Sequence, residues 1–484
     1  MTSLPPAEGR ASARESDPLT ASSTALGTSG ELVGGSPLRR YLLWFGLATA
    51  AITSVWGGVS GIILPNHVQL LEFARIFTGA DAGLDLVELT NLKNTVEAGS
   101  VSATADQLRQ LDLLRQFEAA RAQGVAVVGA VGTVITMLAQ PIIGVLSDRT
   151  RSRYGRRAPW ILLGGVFGAF FLVAIRFAPS IAVLVVLFAA MSVVLNSASG
   201  PLNATVADRV ATAKRGTASA IGGLGNFAGG TLGAVIAGVA FTAMGVNAYF
   251  VIAAIVLIGA VGFFLFVKDR SSTALPRQAG SFGEVVRGFL VPLRSADFRW
   301  VWGARLLLGF GYATTTALTL FMLQSYVRPA LSAAEATALA PLLAVAGLPF
   351  TVVGLVIAGR WSDRVGRRKP FVIGASLLMA ATFVVPAVWP AVPALFIVAA
   401  LGGLAFGAYL SVDQALFIDV LPDKESAGRD LGVAAVASNL GQSLAPIVAA
   451  QVVVITGGYQ AIWIIALVVA AIAAVAIIPV KGTR

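Results

Sequence analysis

Gly359-Arg-Trp-Ser-Asp363-Arg364-Val-Gly366-Arg367-Arg368-Lys-Pro370 closes one long apolar run and opens the next, and a second copy of its pattern stands earlier in the chain. That copy reads Gly144-Val-Leu-Ser-Asp148-Arg149, then five residues, then Gly155-Arg156-Arg157-Ala-Pro159. The two aspartates are 215 positions apart. Asp208 and Asp419 repeat the spacing at 211 positions, and Asn226 and Asn439 repeat it at 213. Three pairs at nearly constant separation mark a duplicated unit.

The apolar runs around these landmarks fall at 41–65, 123–146, 158–178, 180–207, 217–242, 247–267, 299–326, 336–359, 370–388, 391–420, 430–456 and 459–480. Each is near the length of about 20 residues that a helix needs to cross a bilayer. Twelve runs, six per copy, predict an all-α membrane protein built as two pseudo-symmetric six-helix bundles. Composition agrees: 56% of the residues are apolar, 12% are charged, and mean hydropathy is +0.81. A soluble chain with so few charges could not cover its own core.

The expected organisation is a disordered cytoplasmic tail (1–37), an N-terminal bundle (38–267), a cytoplasmic linker (268–298) and a C-terminal bundle (299–482). A net charge of +11 raises nucleic-acid binding, but 27 of the 35 Lys and Arg fall in the tail, linker, C-terminus and the alternate loops on one side. That is the positive-inside pattern, so it places both termini in the cytoplasm of a multi-pass plasma-membrane protein and implies lipid, not nucleic acid, as the partner. There is no Cys, which excludes disulfides and thiolate chemistry, and the lone His67 cannot form a metal cluster. His67 reads as an exposed histidine at the outer end of the first run.

The outer stretch 66–122 is long. Thr104-Ala-Asp-Gln107 is a capping-box pattern followed by Leu108, Leu111, Leu114 and Phe117, which predicts an amphipathic helix leading into the second span. Two readings stand for it, a cap on the outer mouth or a surface decoration. In the linker, Ser281-Phe-Gly-Glu284 predicts a short helix from Phe282 to about Leu290, ended by Pro292.

Gly359 to Arg368 resembles the loop signature of the major facilitator superfamily. The longer first copy, Ser147 to Trp160, is similar to the loop of the glycoside–pentoside–hexuronide:cation symporters and the sucrose:proton symporters. The resemblance covers roughly 38–482. It implies alternating access, with spans one, four, seven and ten lining a central cavity. In the glycoside–cation branch an acid in the fourth span helps bind the coupling cation. Here Ser199-Gly200-Pro201 stands in that span with no acid before Asp208, which disfavours sodium and leaves the proton as coupling ion.

Asp413, in Tyr409-Leu-Ser-Val-Asp413-Gln414, lies about 12 Å from the inner end of span ten at about 1.5 Å per residue, and Arg305 in span seven is at comparable depth. An isolated acid there costs on the order of 2.5–3.5 kcal/mol, so Asp413 should be paired, protonated or wet. Two readings stand: an ion pair with Arg305 that breaks when Asp413 takes a proton or solute arrives, and a static structural pair or an Arg305 that snorkels inward while Asp413 binds water. Sugars need amide or carboxylate hydrogen bonds and a flat aromatic surface. Trp56, Asn196, Asn203, Tyr312, Gln324, Tyr409, Gln414, Asn439 and Gln442 are the candidate cavity residues. The gating candidates are Asp148, Arg149, Gly155, Arg156, Arg157, Asp208, Asp363, Arg364, Gly366, Arg367, Arg368 and Asp419, as carboxylate–Arg contacts at span ends.

No Walker-type loop, Gly-x-Ser-x-Gly or His-Glu-x-x-His motif is present, so the chain is not expected to be an enzyme or to bind a cofactor. The expectation is a monomeric secondary transporter, a proton-coupled symporter of a sugar or glycoside. A proton-antiport exporter of drugs or metabolites, and a non-transporting receptor or scaffold, are the alternatives.

Overall fold

Hydrocarbon offers no hydrogen bonds to a backbone, so apolar stretches of this length must bond their own N–H and C=O groups as helices. A computed structural model describes residues 31–269, 271–273, 291–420 and 427–481, with 427–432 described by backbone alone. The first half holds α1 (Gly35–Ile76), α2 (Leu86–Glu97), α3 (Ala105–Arg149), α4 (Ala158–Ile175), α5 (Ile181–Arg209), α6 (Thr212–Met244) and α7 (Ala248–Phe266). The second half holds α8 (Ala296–Thr316), α9 (Thr319–Ser325), α10 (Ala333–Val365), α11 (Lys369–Val388), α12 (Val392–Asp419), α13 (Ala427–Thr456) and α14 (Gln460–Ala476). Helices α8 and α9 are bent by 45° and together make one broken span. With that pair taken as one and α2 set aside, the rods fit the expected twelve.

Helix ends follow local chemistry. Ser180, Ser295, Thr104 and Ser332 accept backbone hydrogen bonds at N-termini, the last two in full capping boxes. One expectation needs correction. Span one continues for about three turns beyond residue 65, so His67 is buried at 5% exposure, edge-on to Tyr249, not exposed in a loop. The Thr104 capping box starts a helix as expected, and it leads without a break into span two as the 45-residue α3. Its first turns pack Leu111, Leu114 and Phe117 against Phe77 and Leu89, making a helical hairpin with α2. Here the Arg109 guanidinium, 2.7 Å from Asp81, holds that carboxyl below its ordinary pKa. The linker helix expected at 282–290 lies outside the described residues, as does most of the tail.

The duplication is visible in the packing. In the first half α1 packs on α6 and α7, α4 on α5 and α7, and α3 on α5. In the second half α8 packs on α13 and α14, α11 on α12 and α14, and α10 on α12. These are the same pairings six spans later. Between the halves α3 meets α13 and α6 meets α10, two contacts that a twofold axis would exchange.

Small residues set the closest seams, because lipid-embedded helices gain by backbone approach rather than by expelling water. A Cβ on Gly57 of α1 would stand 1.8 Å from the Gly230 carbonyl oxygen of α6. The equivalent seam in the second half has Gly441 of α13 against the Leu306 carbonyl of α8, at 2.5 Å. Gly57→Ala is therefore expected to cost about 1–3 kcal/mol by overpacking and to lower the thermal midpoint in detergent. Gly223→Ala, with nothing within 4 Å of the added carbon, should leave the midpoint unchanged.

Candidate functional site

Where α3 and α13 diverge, a cavity of about 350 Å³ opens between the halves, within the size range of small-molecule sites. Its polar lining is Thr133, Thr136 and Gln140 from α3, Ser192 and Asn196 from α5, and Asn439, Gln442 and Ser443 from α13. Trp56, on a π-helical stretch of α1 (Val55–Ile63), supplies a flat aromatic face and meets Phe188 edge-on. Gln140 donates to Asn196 Oδ1 at 3.2 Å, while the Thr136 and Ser192 hydroxyls are buried without partners among the described residues. Among the described residues, no ionisable side chain lines the cavity.

Four of the nine cavity candidates are brought together: Trp56, Asn196, Asn439 and Gln442. The other five are elsewhere. Asn203 is exposed on α5, two turns nearer the Arg-rich end. Tyr312 stacks on Phe406 with ring centroids 4.5 Å apart. Gln324 accepts a hydrogen bond from Arg121 at the far end, Tyr409 is buried one turn from Asp413, and Gln414 is exposed on α12. The resemblance implied a lining from spans one, four, seven and ten. The observed lining comes from spans one, two, four and eleven, and its span-two residues Thr133, Thr136 and Gln140 had no signal beyond being polar within an apolar run.

Arg305 and Asp413 do face each other inside the second half. Arg305 Nη1 is 3.4 Å from Asp413 Oδ2, and its Nε donates to Ser438 Oγ at 2.7 Å, next to cavity-lining Asn439. The guanidinium also lies over the Phe417 ring. Asp413 is 2% exposed, and the Tyr409 hydroxyl, buried with it, is its other polar neighbour. The pair is one helix behind the cavity wall rather than in it.

At the Arg-rich end the first loop copy is tightly built. Arg157, buried, reaches Asp148 at 2.6 Å, Asp208 at 3.0 Å and Ser147 Oγ at 2.9 Å, while Arg156 also pairs with Asp208. One cation thus ties α3, α4 and α5. Gly155 has φ +90, and a Cβ there would stand 2.1 Å from Asp269 Oδ2, so glycine is required twice over. In the second copy Gly366 ends α10 at φ +66 and Arg368 pairs with Asp419 at 3.0 Å. Asp363, Arg364 and Arg367 are exposed and make no ion pair among the described residues, and Arg149 is exposed as well. Each of the paired contacts lies within one half.

The opposite end is closed. Asn66 and Thr337 exchange hydrogen bonds across the halves, at 3.0 and 3.2 Å. Arg121 donates to Gln69 in its own half and to Gln324 and Ser325 in the other. Among the described residues, the hydrogen bonds that join the halves all sit at this end. Asn203, Asn226 and Gln414, toward the Arg-rich end, are exposed, so the cavity communicates with that side. Sequence reasoning counted Arg121 among the basic residues of the outer stretch 66–122 and gave it no role.

Arg157→Gln removes a buried, charge-assisted junction and is expected to cost about 1.5–3 kcal/mol. Arg367→Gln, at the exposed site beside the second junction, should stay within about 0.5 kcal/mol. Thermal unfolding in detergent compares them.

The family model described as MFS/sugar transport protein matches residues 117–480. A Synechocystis sp. protein described as an uncharacterized symporter is 52% identical over 44 residues, 9% of this chain and 8% of its own length. The general alpha-glucoside permease of Schizosaccharomyces pombe is 39% identical over 61 residues, 13% of this chain and 11% of its own length. These matches therefore span about a tenth of those relatives. Among solved structures, nucleoside transporter NupG aligns with a TM-score of 0.63 at 12% identity, covering 91% of this chain and 99% of its own. A bacterial homolog of the human lysosomal transporter Spinster, inward-facing and unoccupied, aligns at 0.58 with 13% identity, covering 92% and 97%. The fold is shared with both, and with the family match running from residue 117 of α3 past the last helix, the chain belongs to the MFS/sugar transport protein family of the major facilitator superfamily.

Proposed function

We propose that this protein is a proton-coupled symporter of a neutral sugar or glycoside, working by alternating access with its Arg-rich end in the cytoplasm of the plasma membrane. The observation that carries the reading is the cavity between the halves: four amide side chains, four hydroxyls and one indole face, with no charge among the described residues. Amides and hydroxyls both donate and accept, which suits a solute whose hydroxyls do the same. The indole suits the apolar face of a sugar ring. The names of the alpha-glucoside permease and symporter relatives agree with this chemistry.

Sidedness follows from the Lys and Arg excess at one end, which the cytoplasmic side attracts. In this orientation the cavity faces inward and the outer end is shut. For coupling, Asp413 is a buried carboxylate only loosely paired with Arg305, with the Tyr409 hydroxyl as its other polar neighbour, and so a group able to take a proton. Protonation would release Arg305, whose Nε holds Ser438 on the cavity helix α13. The charge state of Asp413 is thereby transmitted to the wall that carries Asn439 and Gln442. One proton crossing about 100 mV supplies about 2.3 kcal/mol, a concentration ratio of about fiftyfold for a neutral solute.

The direct test is uptake of labelled glucosides, maltose and sucrose into proteoliposomes under an imposed proton gradient; no accumulation of any neutral sugar overturns the reading. Asp413→Asn should abolish gradient-driven accumulation while leaving sugar counterflow in place, and full accumulation by that variant would remove Asp413 from coupling. Gln442→Ala should raise the half-saturation concentration of the transported sugar about three- to tenfold, the loss expected for one hydrogen bond, with little change in maximal rate.

A further inference from the structure

We propose that Arg121 is the latch of the gate opposite the Arg-rich loops, and that the α2–α3 hairpin is the arm that carries it, so that the long outer segment is part of the transport machinery. The proposal rests on the alternating-access reading but not on the identity of the solute. Arg121 is 1% exposed and spans the junction between the halves. From its own half it meets Gln69 Oε1 at 3.1 Å and the Phe117 ring. From the other it meets Gln324 Oε1 at 2.9 Å, Ser325 Oγ at 2.6 Å, the Tyr459 hydroxyl at 3.5 Å and the Phe321 ring, 4.5 Å from the centroid. A guanidinium held between two ring faces and neutral acceptors is well placed without a carboxylate.

The carboxylate nearest in sequence is otherwise engaged. Glu118, one turn earlier on α3, is buried and pairs at 2.8 Å with Lys93 of α2. The same ammonium donates to the Gly457 carbonyl of the opposite half at 3.3 Å. The hairpin therefore crosses the junction twice, through Arg121 and through Lys93. Both contacts are neutral on the far side, so opening the gate separates a cation from dipoles rather than from a counter-charge. That separation costs far less than pulling apart a buried ion pair.

The closed gate is also incompletely satisfied. A small cavity of about 20 Å³ lies beside the latch, lined by Thr90, Phe117, Arg121, Gln324 and Ser325 among others. Arg121 Nε, Gln324 Nε2 and Glu118 Oε1 are buried without hydrogen-bond partners among the described residues. Each unmet group disfavours the closed arrangement relative to one that water can reach. A permanent staple would be expected to satisfy its donors. A latch that must release on every cycle need not.

The chain contains no cysteine, so a single introduced thiol reports access to the cavity. Thr133→Cys places it on the cavity wall, and a membrane-impermeant maleimide is applied to intact cells and, separately, to inverted membrane vesicles. Adding Arg121→Met should raise the labelling rate from the outside about tenfold or more and lower it from the inside. Arg121→Lys should give an intermediate shift, and Lys93→Met a smaller shift in the same direction. Unchanged outside labelling in a monodisperse Arg121→Met protein overturns the latch. Should that variant fail to fold, unchanged labelling in Lys93→Met overturns it. Failure of the sugar reading shows separately as absent uptake with the labelling shifts intact, because labelling requires no substrate.

Discussion

A buried polar group in hydrocarbon must meet another polar group or water, and the rest of this molecule is arranged around that requirement. The amides and hydroxyls of the cavity are gathered on α3, α5 and α13, beside the Trp56 indole of α1, where one half faces the other. Placed on the outer faces of the same helices they would cost several kcal/mol each; placed here, they line a cavity that water can enter. The apolar exterior and the polar seam are thus one design. The halves meet most extensively where α3 packs on α13 and α6 on α10, and close glycine-mediated packing holds the helices together within each half.

The two ends of that seam are held by different chemistry. At the Arg-rich end the cations work inside a half: Arg157 draws Asp148 and Asp208 together and so fixes the loop between α3 and α4 to α5. Ion pairs of this kind stiffen a bundle and resist separation. At the opposite end the joining contacts are Asn66 with Thr337 and the neutral partners of Arg121, which are directional but weak enough to be exchanged for water. Strong contacts within rigid bodies and exchangeable contacts between them are what a rocking mechanism needs.

How much of this could be read from the chain depended on whether a residue announced itself against its neighbours. The duplicated Asp148 and Asp363 loops stand out because charges interrupt apolar runs, and they led directly to two bundles of six. Asp413 and Arg305 stood out for the same reason, and they do pair. Thr133, Thr136 and Gln140 did not, since a polar residue in a membrane helix serves packing as readily as a cavity, and only the divergence of α3 from α13 decides between the two. Tyr312 and Gln324 mislead in the reverse sense: their chemistry suits a sugar, but Tyr312 stacks on Phe406 and Gln324 belongs to the closed end. Arg121 was hidden by its context. Eight acids and five basic residues in 66–122 make the segment look like a solvated loop, whereas its hairpin buries Lys93, Glu118 and Arg121 together.

The second loop copy carries the same residue order as the first but makes fewer ion pairs among the described residues. Arg368 reaches Asp419 but not Asp363, which is exposed, so α10 is less firmly tied to its neighbours at this end than α3 is. The helix it would anchor is the one that meets α6 between the halves. Among the described residues, the first half is the better braced at the Arg-rich end. The two copies of one motif thus make unequal sets of contacts there: Arg157 ties three helices together, whereas Arg368 reaches α12 alone.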